Sequence, residues 1–328
     1  PIMVEAPMDQ SLPLTLGVFL LLALTYVVLE RLWPARPGQK LLRRGWRTDA
    51  LYWLFTPLVS RNLTRLGIGL TLAALLAASG AEISPETLRA VVEGRDTWFS
   101  TWPWWLQGLG VLIVSDFTGY WLHRLFHRGW WWRVHAVHHS PTELDWLAAT
   151  RLHPLNELLS RMVQVVPFYL LGFSPLVLAS VAPLLSLYAI LLHANVSWSF
   201  GPLRFVIASP AFHRWHHSRE PQALDKNFAG LFPLWDFLFG TLYLPHGQRA
   251  TDFGITSNDM PPGLWGQLLY PFARSAAPAT EHSPPPLAFD TMPRHEPEVQ
   301  LCAAAGLVHD PGGRPAAPVA GPVLHGQR

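Results

Sequence analysis

The hydrophobic residues of this chain fall in long blocks separated by short polar loops. Leu12 to Leu29 carries no charge and is about the length needed to cross a hydrocarbon core as a helix. Arg31 and Trp33 end it. Ala50–Ser79 is also apolar but holds Arg61 and Arg65 near its middle, and charges at that depth must face protein or water. It reads as one net crossing, either a single kinked span or a shallow segment followed by a short one. Trp102, Trp104 and Trp105 mark a membrane interface, and Leu106–Leu122 re-enters. A last block, Val163–Leu192, is interrupted by the turn signal Gly172-Phe173-Ser174-Pro175, which predicts a hairpin that enters and returns. The pattern predicts an all-α integral membrane protein with about four transmembrane helices and a cytosolic helical cap.

Charge gives these blocks a direction. The loop from Arg31 to Arg47 contains Arg31, Arg36, Lys40, Arg43, Arg44 and Arg47 and no acid, which marks it as cytoplasmic. Gly80–Ser100 carries Glu82, Glu86, Glu93 and Asp96 against Arg89 and Arg95, which suits the outer face. Residues after Leu122 then return to the cytoplasmic side. The residues before the first block include Glu5 and Asp9 and no basic residue, unlike a secretory signal.

Composition agrees. Of the 328 residues 50% are hydrophobic and 14% charged, against about a quarter charged in a soluble domain. A net charge of +2, with no basic run interleaved with aromatics, gives no footing for nucleic acid. Cys302 is the only cysteine, so thiolate metal sites and a disulfide framework are excluded. Four regions follow: residues 1–107 with the first helices and loops, 108–245 as a catalytic domain, 246–275 as an extension of the cap, and 276–328 as a disordered Pro/Ala-rich tail. The tail's His282, His295, His309 and His325 are isolated.

Eight of the 15 histidines fall in three clusters: His123 and His127; His135, His138 and His139; His213, His216 and His217. Residues three and four apart share a helix face. His123 and His127 therefore point one way, as do His135, His138 and His139, so that each set can meet at a single metal. One histidine on an apolar face is usually a hydrogen-bonded core residue. Eight so close would compete for donors when neutral and repel when protonated, and bound cations remove both problems. A catalytic zinc site uses about three protein ligands, whereas this count fits two metals. Imidazole alone does not choose among Zn, Cu, Fe and Ni. Oxidation of an apolar substrate needs a redox metal, which favours iron.

The order HxxxH, HxxHH, a single later His, then HxxHH resembles the fatty acid hydroxylase/sterol desaturase superfamily. The resemblance runs from about Gly108 to Pro245. It includes Asp116, Tyr120-Trp-Leu-His123-Arg, His138-His139-Ser140, Arg151-Leu-His153-Pro-Leu-Asn-Glu157, His193-Ala-Asn195, Asp225-Lys-Asn227-Phe and Leu234-Trp-Asp236. It implies two iron ions, O2 as co-substrate, hydroxylation or desaturation of a membrane lipid, and the eight clustered histidines as ligands. His193 resembles the family's additional histidine, which makes nine. Asp145 departs from the Asn that many relatives carry after the second box, leaving the local substrate contact in doubt.

His153, followed by Pro154, is open between ligand, hydrogen-bond partner and headgroup contact. Asp116, two turns before His123 on the same face, and Glu157, Asp225 and Asp236 are candidates to hold the outer nitrogens of the imidazoles; Asn195 and Asn227 could orient ligands similarly. Arg128, Arg133 and Arg214 read as snorkelling side chains, and Trp130–Trp132 as an interface anchor. Phe237-Leu238-Phe239 either lines an acyl channel or packs a core.

Without a flavin or nicotinamide fingerprint, electrons must come from a separate donor, a ferredoxin or a cytochrome b5-like reductase system. The expected location is the membrane, multi-pass, with the active site on the cytoplasmic side of a bacterial inner membrane. A desaturase shares every ligand. A membrane metal-dependent hydrolase would mix carboxylates with few histidines, and a bis-His haem protein would leave the doublets His138-His139 and His216-His217 without a role.

Overall fold

The computed structural model describes residues 8–273, apart from 83, 88–90, 92–93, 95 and 258. The Pro/Ala-rich tail from Ala276, with its four histidines and Cys302, lies outside the described residues. Their regular elements are all helices, with no strand among the described residues and two isolated bridges, Pro34 with Val196 and Ser218 with Phe253.

The first block forms α1 (Met8–Leu32). Leu14, Leu20 and Leu24 are exposed along it, while Leu22 and Leu29 pack against the core beside Tyr26. The second block is α2 (Trp46–Phe55) and α3 (Arg61–Ala78), joined by a π-turn over Thr56–Ser60. Pro57 sits at the start of that turn and has no N–H for the α-helical ladder. The ladder widens there, and the Arg61 N–H reaches back to the Thr56 carbonyl. Arg61 and Arg65 are exposed at the head of α3 rather than turned into protein.

Helix α4 (Trp104–Phe126) carries the first histidine pair at its end, and α5 (Gly129–His139) follows after a short turn. Helices α6 (Pro154–Leu171) and α7 (Pro175–His193) are joined at the expected turn through Gly172 at φ 72°, and both pack against α4. That left-handed conformation stops a helix readily only at glycine. Near the same turn, a Cβ at Gly110 of α4 would lie 2.8 Å from the Phe173 ring. Thr97 Oγ1 donates to the Leu171 carbonyl, and the Ser174 N–H donates to Gln107 Oε1. Three short helices complete the cap: α8 (Pro210–His216), α9 (Leu234–Leu238) and α10 (Leu264–Leu269).

Among the described helices, Pro175–His193 is the one long and apolar enough to cross a membrane by length and composition. Phe237 and Leu238 are exposed on α9, and Phe239 packs its ring on Tyr120 and Trp121. The stretch is therefore neither a buried core nor the wall of an internal channel.

Candidate metal centre

Nine buried or half-buried imidazoles converge where the ends of α4 and α7 meet α5 and α8. They form two groups, within each of which one ligand nitrogen per ring lies within 4.8 Å of all the others. His123, His127, His135, His139 and His216 make a group of five; His138, His193, His213 and His217 make a group of four. These are the nine the sequence singles out.

The division corrects the expectation that His135, His138 and His139 meet at one point. Residues four apart stay together: His123 with His127, His135 with His139, and His213 with His217. Adjacent residues on a helix diverge by about 100°, so each doublet sends one ring to each group. His139 and His217 nevertheless stack across the boundary, with centroids 4.4 Å apart.

Hydrogen bonds fix which nitrogen faces inward. Nδ1 of His123 donates to the Phe228 carbonyl at 2.8 Å, that of His138 to Arg151 at 3.1 Å, that of His193 to Ala189 at 2.7 Å, and that of His216 to Lys226 at 2.8 Å. A carbonyl only accepts, so Nδ1 holds the proton and Nε2 presents a bare lone pair. His135 Nδ1 lies 2.7 Å from Asn156 Oδ1, and His127 Nδ1 lies 3.1 Å from Asp225 Oδ1.

The inward nitrogens approach closely: 3.0 Å for His123 with His135, and 3.1 Å for His138 with His193, His193 with His213, His213 with His217, and His139 with His216. Two bare lone pairs cannot hydrogen-bond, which rules out that explanation for His123 with His135 and His138 with His193. Protonation is disfavoured as well. Burial first, then the neighbouring imidazoles, hold His135, His138, His139, His213, His216 and His217 well below the ordinary histidine range. A cation between them satisfies every lone pair. With metal–nitrogen bonds of about 2.1 Å, ligands at right angles sit about 3.0 Å apart and tetrahedral ones about 3.4 Å. The close pairs are thus within the reach of two nitrogens on one cation, and the nitrogens of each group spread over up to 4.8 Å.

The surrounding chain is shaped to hold these acceptors. Asp225 and Asn227 adopt φ 55° and 58°, a left-handed conformation that Asp and Asn tolerate better than most residues. Between and after them the Lys226 and Phe228 carbonyls turn toward His216 and His123. Asn227 locks the turn by donating to the Phe212 and Tyr243 carbonyls and accepting from the Tyr243 N–H. Asp116 accepts the N–H groups of Gly230, Leu231 and Phe232, and Asp236 those of Phe228 and Ala229 together with the Thr241 hydroxyl. Both carboxylates thus act through the loop that supplies the Phe228 carbonyl, not on an imidazole as expected. Ser209 caps α8 by accepting from the Phe212 N–H at 3.1 Å.

Other candidates lie elsewhere. His153 caps α6: its Nδ1 accepts from the Leu155 N–H, and its Nε2 donates to the Leu268 carbonyl at 3.0 Å. It belongs to neither group. Asn195 bonds both backbone groups of Arg36, tying the basic loop to the end of α7. Glu157 stands on the first turn of α6, outside both groups. Asn156, its neighbour, holds His135 although no spacing rule marks it; its place within the Arg151–Glu157 motif was the available signal.

Several basic and aromatic residues also differ from expectation. Arg214 is buried, donating to the Leu144 carbonyl and lying over the Phe253 ring. Arg133 donates to the Tyr270 and Ala273 carbonyls. Trp132 packs against His127 and His139, centroids 5.1 and 5.3 Å away, and Trp130 is exposed. Asp145 accepts a bidentate bond from Arg43, whose Nη2 also reaches Asp49 at 2.7 Å; Asp49 in turn receives Arg151 Nε at 2.5 Å. This buried network ends at the Arg151 carbonyl that orients His138. A cavity of about 20 Å3 opens on the group of five, lined by His127, Trp132, His139, His216, Arg219 and Asp225.

The fatty acid hydroxylase family model matches residues 108–241. Over 178 residues the chain is 34% identical to ornithine lipid hydroxylase of Rhizobium tropici, a match covering 54% of each protein. It is 34% identical over 145 residues to alkylglycerol monooxygenase of Homo sapiens, covering 44% of this chain and 31% of that one. It is 27% identical over 143 residues to a methylsterol monooxygenase of Arabidopsis thaliana, covering 39% and 44%. The match thus spans about half or less of each relative's length. No solved structure matches. The stretch that carries all nine converging histidines, residues 108–241, is the part of the chain that matches the fatty acid hydroxylase family model.

Proposed function

We propose that this chain is a multi-pass membrane enzyme that holds two iron ions and uses O2 and two externally supplied electrons to hydroxylate an apolar position of a lipid. The observation that carries this reading is the pairing of five and four imidazoles with their lone pairs turned inward. Nine imidazoles exceed the about three protein ligands of a catalytic zinc site, and zinc has no redox chemistry. Bound iron would supply the oxidising power to activate O2 against an unreactive C–H bond, one oxygen atom entering the lipid and the other leaving as water.

The chain's own residues do the rest. Backbone carbonyls and Asn156 hold the outer protons of His123, His135, His138, His193 and His216, so those five rings stay neutral and aimed. Burial keeps competing water away, and the small cavity beside Trp132 admits a molecule of about water size. Hydroxylation is favoured over desaturation because the relatives named above are hydroxylases and monooxygenases.

The exposed leucines of α1 and the apolar α7 support membrane insertion. So do exposed Trp265, Leu269 and Phe272, which follow one another at helical spacing on the last described elements. The basic loop then lies on the cytoplasmic side, together with the histidines at the ends of α4 and α7. The Gly172 turn lies at the opposite end, beside Thr97 and Gln107.

Two measurements test the reading. Metal analysis of purified protein is expected to find two iron ions per chain. Lipid profiles of cells with and without the gene, grown in air, are expected to differ by a species gaining one oxygen. A product lacking two hydrogens would make the enzyme a desaturase, and fully active protein without iron would end the proposal.

A further inference from the structure

The loop between α1 and α2 borders an open cavity of about 490 Å3 that the chemistry above does not use. Arg36, Lys40, Arg44, Gln39, Leu42 and Glu143 line most of it. Arg43 also borders it, but its guanidinium is fully buried and bound to Asp49 and Asp145. The other three cations are exposed. The one acid among them, Glu143, sits 4.0 Å from Arg36 and accepts the backbone N–H of Arg44. Three exposed cations thus face one carboxylate, leaving a basic pocket of headgroup size.

Its flank is apolar. Leu41 and Leu42, between the cations in sequence, are 43% and 66% exposed, and Leu32 and Trp33 are exposed where α1 ends. Cations beside exposed leucines, one loop from a lipid-facing helix, match the layering of a membrane surface: phosphate above, acyl chain below. We propose that this cavity binds the headgroup of an anionic phospholipid, with Arg36, Lys40 and Arg44 on the phosphate and Leu41 and Leu42 against the acyl chains. The occupant is a lipid rather than free phosphate, because soluble phosphate leaves the two leucines unexplained.

The site rests on the membrane placement of α1, and its test separates the two. Full-length protein in neutral detergent is titrated with fluorescent-tailed phosphatidylglycerol and, in parallel, with the same lipid carrying phosphocholine. The anionic lipid is expected to bind roughly tenfold tighter, a preference weakened by salt. R36Q/K40Q/R44Q is expected to lose that preference while keeping its metal content, since all three side chains are exposed. L41S/L42S is expected to weaken both lipids about equally. Equal affinity for the two lipids, or an unchanged preference in the triple variant, overturns the proposal. Full displacement of the lipid by millimolar inorganic phosphate would reassign the cavity to a soluble anion. Loss of an acidic ferredoxin probe's binding in the triple variant, without lipid preference, would reassign it to a protein. Release of the protein from membranes by alkaline carbonate would instead refute the placement of α1.

Discussion

His138 and His139 are neighbours on one helix, yet their rings belong to different imidazole groups. His216 and His217 divide in the same way. The doublets are thus the hinges between two centres, and each centre draws on both.

This division makes metal content the sharpest readout. His139→Ala or His216→Ala should empty the group of five while the group of four retains about one ion per chain. His138→Ala or His213→Ala should do the converse. Activity should vanish in all four variants, and elemental analysis after gel filtration distinguishes them. Loss of both ions in every variant would mean that the groups bind as one unit.

Asn156 holds the outer nitrogen of His135 at 2.7 Å. Asn156→Leu should weaken metal binding about 10- to 100-fold, as expected when the support of a ligand is removed. Asn156→Asp keeps an acceptor and should recover most of it. Competition with a chelator of known affinity measures both.

His153 reads as a helix cap rather than a ligand. His153→Ala should leave both ions in place and lower stability by about 0.5–2 kcal/mol. His153→Asn retains a capping acceptor and should lose less. Thermal unfolding in detergent, paired with metal analysis, checks the two statements separately.

Arg43 is buried between Asp49 and Asp145. Removing it leaves two carboxylates without their cation, and Arg43→Met should cost about 3–5 kcal/mol. Because Asp49 also holds Arg151, the same change should loosen His138 and lower occupancy of the group of four before that of the group of five.

Metal-stripped protein should be acid-sensitive. Burial keeps the imidazoles of α5 and α8 neutral, so their folded values lie well below the ordinary 6.5. The unfolded chain takes up protons near that value and the folded chain refuses them, so stability is intact above it and falls as pH drops below. Melting temperature against pH, with and without added metal, should diverge on the acid side.

Much of this architecture is legible in the sequence because it rests on side-chain identity at regular spacing. Histidines four apart announce shared faces, and Gly172 with Pro175 announces a turn. Other features lack such a mark. A buried ion pair looks in sequence like any other charge, so Arg43 read as one more cytoplasmic cation although Asp145 waits 102 residues away. The π-turn had only Pro57 to signal it. The carbonyls that aim His123, His138, His193 and His216 belong to Phe228, Arg151, Ala189 and Lys226, and nothing about those four side chains marks them as acceptors.

That last arrangement decides which genetic changes the centre survives. Every amino acid carries a carbonyl oxygen, so exchanging the residue at 226 or 228 leaves the acceptor in place. A single codon gained or lost between Asp225 and Asp236 moves the oxygens along the chain and leaves two imidazoles unaimed. Drift in spelling is tolerated there, and drift in length is not.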